Sequence, residues 1–144
     1  MIYQAQKKDI PAAAGMAALL FEGSPEEELV RELDALIASG TCAVFLASED
    51  GRLTGFAQCQ LRHDYVEGTH SSPVGYLEGI FVRPEYRHQG RARALLAACQ
   101  QWAKKQGCTE FASDCGLGNH GSLAFHLKMG FMEANRIICF TKKI

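Results

Sequence analysis

The chain has 144 residues, a formal net charge of −1 and six cysteines, and 47% of it is apolar. That length fits a single domain over residues 1–144 whose core stands without disulfides or metal. The balanced charge, free of basic blocks and basic-aromatic runs, argues against nucleic acid, and no stretch reaches membrane-spanning length.

MIYQAQ alternates like a strand and carries no signal-peptide core, so a cytoplasmic location is expected. PAAAGMAALLFEG is apolar enough for a buried helix. SPEEELVRELDALIASG carries a helix start, with Ser24 as N-cap, Pro25 as first helical residue, Glu27 as capping-box partner and Gly40 past the end. TCAVFLASEDGRLTGFAQCQLRHDY reads as two strands around an Asp50-Gly51 hairpin turn.

The polar loop VEGTHSSP then leads to a third strand, VGYLEGIFVRP, stopped by Pro84. A helix begins near Gln89, with Leu95, Leu96, Cys99 and Trp102 on one face and Gly107 as its stop. TEFASD is a short strand, NHGSLAFHLKMG a short helix capped by Asn119 and ended by Gly130, and FMEANRIICFTKKI a closing strand or hairpin. The fold class is therefore α/β (α+β), with a mixed, mostly antiparallel sheet and about four flanking helices. Cys42, Cys59, Cys99, Cys108, Cys115 and Cys139 form no C-x-x-C pair. Most are expected to be buried thiols, and no metal is expected.

The segment RHQGRA, Arg87 to Ala92, sits between a strand end and a helix start. Gly90 allows a ligand to approach the backbone, Ala92 keeps the first turn close, and successive N–H groups can converge on a pyrophosphate. The Walker and dinucleotide patterns are both absent. A solvated basic helix start is the alternative for these six residues.

In order and spacing, LEGIFVRPEYRHQGRARALL, FASDC and NHGSLAFHLKMGF resemble the Gcn5-related N-acetyltransferase (GNAT) superfamily, whose R/Q-x-x-G-x-G/A signature matches Arg87, Gly90 and Ala92. RHDYVEGTHSSPVGYLEGIFV, CTEFASD and RIICFTKK are most similar to its aminoglycoside 6'-N-acetyltransferases. The resemblance implies acetyl-CoA as cosubstrate, with its pyrophosphate on the amides of Arg87, His88, Gln89, Gly90, Arg91 and Ala92. It also implies two central parallel strands that splay apart, leaving backbone groups of Ile80, Phe81 and Val82 for the pantetheine arm and the thioester oxygen. Asn119 resembles the asparagine that hydrogen-bonds the pantetheine region.

Acetyl transfer to an amine needs a held donor, a neutral amine, a polarised carbonyl and an exit for the thiolate. Asp114, ending a strand at the mouth of the splay, and Glu78, a carboxylate inside an apolar strand, are candidates for holding the ammonium and taking its proton. The alternatives are a loop cap for Asp114 and a structural ion pair for Glu78. His126 stands where many relatives carry a tyrosine thought to protonate the thiolate, a step histidine can also perform; a packed or hydrogen-bonded histidine is the alternative.

Aminoglycosides are polycations, so the cleft is expected to be acidic, with Glu22, Glu26, Glu27, Glu28, Asp64, Glu67, Glu78 and Asp114 as sources of charge. Phe21, where close relatives usually carry tryptophan, and Tyr65 offer flat surfaces for sugar rings. Three adjacent glutamates on a helix also fit a solvated face. In CGLGNHG a glycine precedes Asn119 where close relatives often place an acidic residue.

The expected function is acetyl-CoA-dependent acetylation of the 6'-amine of aminoglycosides, a resistance activity, by a homodimer that pairs through RIICF. A polyamine or protein amine as acceptor, or a catalytically weak acyl-CoA or aminoglycoside binding module, are the alternatives.

Overall fold

The computed structural model describes residues 1–144. Its elements are β1 (Ile2–Gln4), α1 (Ile10–Leu20), α2 (Glu26–Ala38), β2 (Cys42–Glu49), β3 (Arg52–Arg62), β4 (Val74–Val82), α3 (Arg91–Lys105), β5 (Phe111–Ala112) and α4 (His120–Lys128). The strands form one sheet in the order β1-β2-β3-β4-β5. Neighbours are antiparallel except β4 and β5, which run parallel. Asp50 and Gly51 both take positive φ, 50° and 75°, giving the tight turn expected between β2 and β3.

Helices cover both faces of the sheet, which is why β2 is buried along nearly its whole length rather than at alternate positions. On one face Ile10, Met16 and Ala17 of α1 and Leu29 and Leu33 of α2 pack on Val44, Leu46 and Phe56. On the other, Leu95, Leu96, Cys99 and Trp102 of α3 pack on Phe45, Ala57, Cys59 and Leu77. The apolar spacing of α3 is thus the stripe that faces the sheet. Four cysteines are buried, Cys115 and Cys139 are exposed, and all six are free thiols. Burial is the main cause that pushes the Cys42 thiol up to about 12.

Local differences from the expected elements have simple causes. α2 starts one residue late: Pro25, with extended backbone at ψ 139°, occupies the N-cap place, and no side chain caps the helix. Its carbonyl takes the first bonds, from the amides of Glu28 and Leu29. α3 starts at Arg91, because Gly90 is left-handed at φ 79°. β5 is only two residues long, and it lies at the sheet edge, so the parallel pair is not central.

The largest correction concerns the C-terminal segment. The Phe131 amide bonds the His126 carbonyl at 3.0 Å, and the Phe131 ring packs 5.1 Å from the His126 ring. Beyond it no strand or hairpin forms. Met132, Ile137, Ile138 and Phe140 are 90%, 60%, 72% and 88% exposed. An apolar run such as RIICF makes a strand only where a sheet edge receives it, and within one copy this segment pairs with none.

Candidate active site

β4 and β5 pair only through Gly75 with Phe111 and Tyr76 with Ala112, and then part. Opposite, β3 pairs Cys59 with Leu77 and Gln58 with Gly79, so Glu78 is the extra residue of a β-bulge. A bulge bends its strand and re-aims side chains, and this one lies where the wedge between β4 and β5 opens. Gly79 serves more than the bulge. A Cβ there would sit 2.6 Å from Leu20 Cδ2 and 2.9 Å from Phe21 Cζ, so the missing side chain is what lets the end of α1 close over β4.

Past the wedge, β4 runs through Ile80, Phe81 and Val82 to the start of α3. The Arg87 side chain turns back, and its Nε donates to the Val82 carbonyl at 2.9 Å. The Arg87 amide donates to Pro84 at 3.2 Å and is used up inside the loop. In contrast, the amides of His88, Gln89, Gly90, Arg91 and Ala92 make no hydrogen bond within the chain. His88 and Gly90 both have positive φ, 58° and 79°, the alternation that turns successive N–H groups into one concavity. A Cβ on Gly90 would meet nothing within 4 Å, so the approach is open. Arg91 is held aside by Glu49, and its guanidinium stacks 4.8 Å from the Tyr86 ring. Open amides, a helix N-terminus and no competing side-chain cap suit a phosphate group.

On the other side of the sheet the carboxylates are held by partners. Arg62, at the end of β3, binds Glu78 through Nε at 3.2 Å and Nη2 at 2.8 and 3.2 Å. Its guanidinium lies 3.5 Å from the Tyr76 ring centroid, a contact worth about 1 kcal/mol. The Tyr76 hydroxyl donates to Asp114. Burial first, and the Asp114 carboxylate second, push the Tyr76 phenol well above the ordinary tyrosine range. Arg62, Glu78, Tyr76 and Asp114 therefore form one network that spans the wedge. Beside it Ala17, Phe21, Ser24, Leu33, Gln58 and Glu78 line a cavity of about 230 Å³.

The remaining candidates fall in three places. Phe21 is half-buried against Gly79 and borders the cavity, and the next residue, Glu22, is exposed. Glu26, Glu27 and Glu28 are exposed in the first turn of α2. Tyr65 is 80% exposed and donates to Glu67 in the loop after β3. Glu110 tethers that loop by accepting from the Ser71 hydroxyl at 2.5 Å and the His70 amide at 2.8 Å. Those two bonds, in that order, hold the Glu110 carboxyl below its usual range.

On α4, Asn119 Oδ1 accepts the Ser122 amide at 3.1 Å, capping the helix as expected and leaving its NH₂ group for another acceptor. Both His126 nitrogens are engaged, Nδ1 with the Ser122 carbonyl at 2.7 Å and Nε2 with Ser113 Oγ at 2.8 Å. The sequence reading missed Arg62, Tyr76 and Ser113. Tyr76 carried a signal in its place two residues before Glu78 on one strand; for Arg62 and Ser113, partners 16 and 13 residues away left none.

Residues 13–131 match the Acetyltransferase (GNAT) family. The chain belongs to this family. It is 39% identical over 142 residues to an aminoglycoside N(6')-acetyltransferase type 1 of Salmonella enteritidis, covering 99% of this chain and 98% of that protein. With the protein of the same name from Stenotrophomonas maltophilia it shares 43% identity over 140 residues, 96% of this chain and 90% of the relative. Among solved structures, AAC(6')-Iy in complex with the bisubstrate analog CoA-S-monomethyl-acetylneamine superposes with a TM-score of 0.95 at 38% identity, covering 100% of this chain and 98% of the other. The parting of β4 and β5 and the open amides before α3 thus belong to a GNAT domain.

Proposed function

We propose that this protein transfers the acetyl group of acetyl-CoA to the 6'-amine of aminoglycoside antibiotics, in the cytoplasm, and so confers resistance. The observation that carries this reading is the wedge between β4 and β5, with open amides at one end and two carboxylates on one face. Relatives named as aminoglycoside N(6')-acetyltransferases along nearly the whole chain support it.

The pyrophosphate is received by the amides of His88 to Ala92, and the pantetheine arm runs along Ile80, Phe81 and Val82 past Asn119. No step requires a metal. Asp114 and Glu78 receive the substrate ammonium, which competes with Tyr76 for the first and with Arg62 for the second. A carboxylate then takes the amine proton directly or through a water, and the neutral amine attacks the thioester carbonyl. Phe21 and Tyr65 offer apolar faces to the sugar rings, and exposed Glu22 adds negative charge next to Phe21.

The exposed apolar segment from Met132 to Phe140 supports a homodimer in which each copy's arm lies on the other. Sedimentation at micromolar concentration is expected to give a dimer, and a monomer there would exclude this arrangement.

Thiol release from acetyl-CoA, followed with kanamycin and with spermidine as acceptors, tests the activity. Turnover with kanamycin at a kcat/KM about a hundredfold or more above that for spermidine is expected, since a site built to hydrogen-bond polar substrate groups rejects an analogue that lacks them by at least that factor. Preference for spermidine, or CoA binding without turnover, would overturn the aminoglycoside assignment.

A further inference from the structure

Residues 113 and 114 follow β5 in sequence, and their side chains go to opposite sides of the sheet. Asp114 accepts from Tyr76, in the network with Arg62 and Glu78. Ser113 points to α4 and meets His126 Nε2 at 2.8 Å. Its Oγ also lies 3.4 Å from the Leu77 carbonyl, the last position of β4 before the bulged Glu78. Ser113 therefore sits in the crotch of the wedge, on the face opposite the carboxylates.

The bond partners fix the proton positions. A carbonyl oxygen only accepts, so the 2.7 Å contact of His126 Nδ1 with the Ser122 carbonyl means that Nδ1 carries hydrogen. In the neutral ring Nε2 is then an acceptor, and the Ser113 hydroxyl donates to it. When the ring is an imidazolium, Nε2–H donates to Ser113 Oγ, and the serine hydrogen turns to its other acceptor, the Leu77 carbonyl at 3.4 Å in the crotch of the wedge. The Phe125 and Phe131 rings, 5.5 and 5.1 Å away, hold the imidazole edge-on in this orientation. With both nitrogens engaged, His126 reaches the wedge through Ser113.

We infer that Ser113 is the group that protonates the leaving thiolate and that His126, acting through it, supplies the proton. The assignment rests on the acetyl-transfer reading, since the thioester has to lie in the wedge. As the C–N bond forms and the C–S bond breaks, the electron pair of the C–S bond goes to sulfur. Sulfur takes the Ser113 hydroxyl proton, and Ser113 Oγ takes the Nε2 proton of His126, which is left neutral with its Nδ1–H on Ser122. The attacking ammonium gives up two protons overall; one replaces the proton lost by His126 through solvent and the other is released. The two proton transfers thus take place on opposite faces of one strand end, amine on the Asp114 side and thiol on the Ser113 side.

The test compares Ser113→Ala, Ser113→Thr, His126→Gln and the Ser113→Ala/His126→Gln pair in the full chain. Steady-state kinetics with acetyl-CoA and kanamycin are combined with calorimetric CoA affinity. Ser113→Ala is expected to lower kcat about 10²-fold, the lower end of what a positioned acid supplies, with KM for both substrates and CoA affinity unchanged. His126→Gln should lose a similar factor. The pair should be no slower than either single variant, because the two groups act as one relay, and Ser113→Thr, which keeps the hydroxyl, should recover most of the rate. Full kcat in Ser113→Ala, or losses that multiply in the pair, would overturn the relay while wild-type turnover left the acetyl-transfer reading standing. A wild-type protein that neither binds CoA nor releases thiol would end both.

Discussion

The two ends of the wedge use different materials. At the donor end the ligand-ready groups are main-chain amides, His88 to Ala92, whose direction is set by backbone angles at His88 and Gly90. At the acceptor end they are side chains, Glu78 and Asp114, each already bound to a neighbour in the free protein. The backbone site is preorganised and costs little to occupy, since no internal bond has to break. The side-chain site is satisfied without substrate, so an incoming ammonium must replace Arg62 or Tyr76. Such an exchange favours a polycation that delivers several charges at once, because it can replace the partner of the part-buried Glu78 and of the exposed Asp114 together.

The largest expected effect tests the donor end. Gly90→Glu forces a side chain into left-handed backbone and places a carboxylate beside the phosphate site, and like charges so placed cost several kcal/mol. Acetyl-CoA affinity measured by calorimetry should fall by about a hundredfold or more, while the left-handed backbone, at a cost of about 1–2 kcal/mol, should lower the melting temperature by only several degrees and leave the fold intact. Unchanged affinity would remove the pyrophosphate from this loop.

At the acceptor end, Asp114→Asn should lower kcat/KM by roughly 10²–10⁴-fold and leave CoA affinity intact. Glu78→Gln should lose less if it only positions substrate. A dead Glu78→Gln beside an active Asp114→Asn would move the base to β4. Tyr76→Phe sharpens the comparison: it frees Asp114 of its partner, so the expected change is about tenfold in KM for aminoglycoside, the scale of one hydrogen bond to a charged group, with kcat nearly constant.

Long-range attraction gives a smaller effect. At low kanamycin, kcat/KM should decline steadily as salt rises, since the acceptor side carries several exposed acidic groups, while acetyl-CoA KM should respond less. A flat response would mean that the carboxylates act only at contact distance.

The smallest effect is a pH response of the tyrosine. Because the Tyr76 phenol is raised in the folded protein, its contribution to stability is complete below the ordinary tyrosine pKa and is lost as pH rises through the folded value. The difference in tyrosinate absorbance between the wild type and Tyr76→Phe should therefore report a phenol that ionises above the ordinary tyrosine range. A difference centred in the ordinary range would show that the Tyr76–Asp114 bond does not persist in solution.

Much of this protein follows from local sequence. The Asp50-Gly51 turn, the stripe of Leu95, Leu96, Cys99 and Trp102, the Asn119 cap and the RHQGRA loop all depend on residues within a few positions of one another, where backbone preference and side-chain period decide the outcome. The open amides before α3 are contiguous main chain, so that loop could be picked out from six residues, although its reading as a pyrophosphate site rather than a solvated helix start comes from the family resemblance. Glu78 could be singled out because a carboxylate in an apolar strand needs an explanation, and Asp114 because it ends a strand at the mouth of the splay that the family resemblance implies, yet their partners could not be named. Arg62 reaches Glu78 across 16 residues and Tyr76 reaches Asp114 across 38. Only the strand register and the bulge at Glu78 bring them together, and register is set by packing of whole faces. The same holds for Ser113 and His126, and for the residues after Phe131, where the apolar run RIICF was visible but no strand receives it within one chain. Local sequence determined most of the elements and which amides stay open before α3, because both depend on neighbouring residues; long-range pairing decided which side chains bond each other.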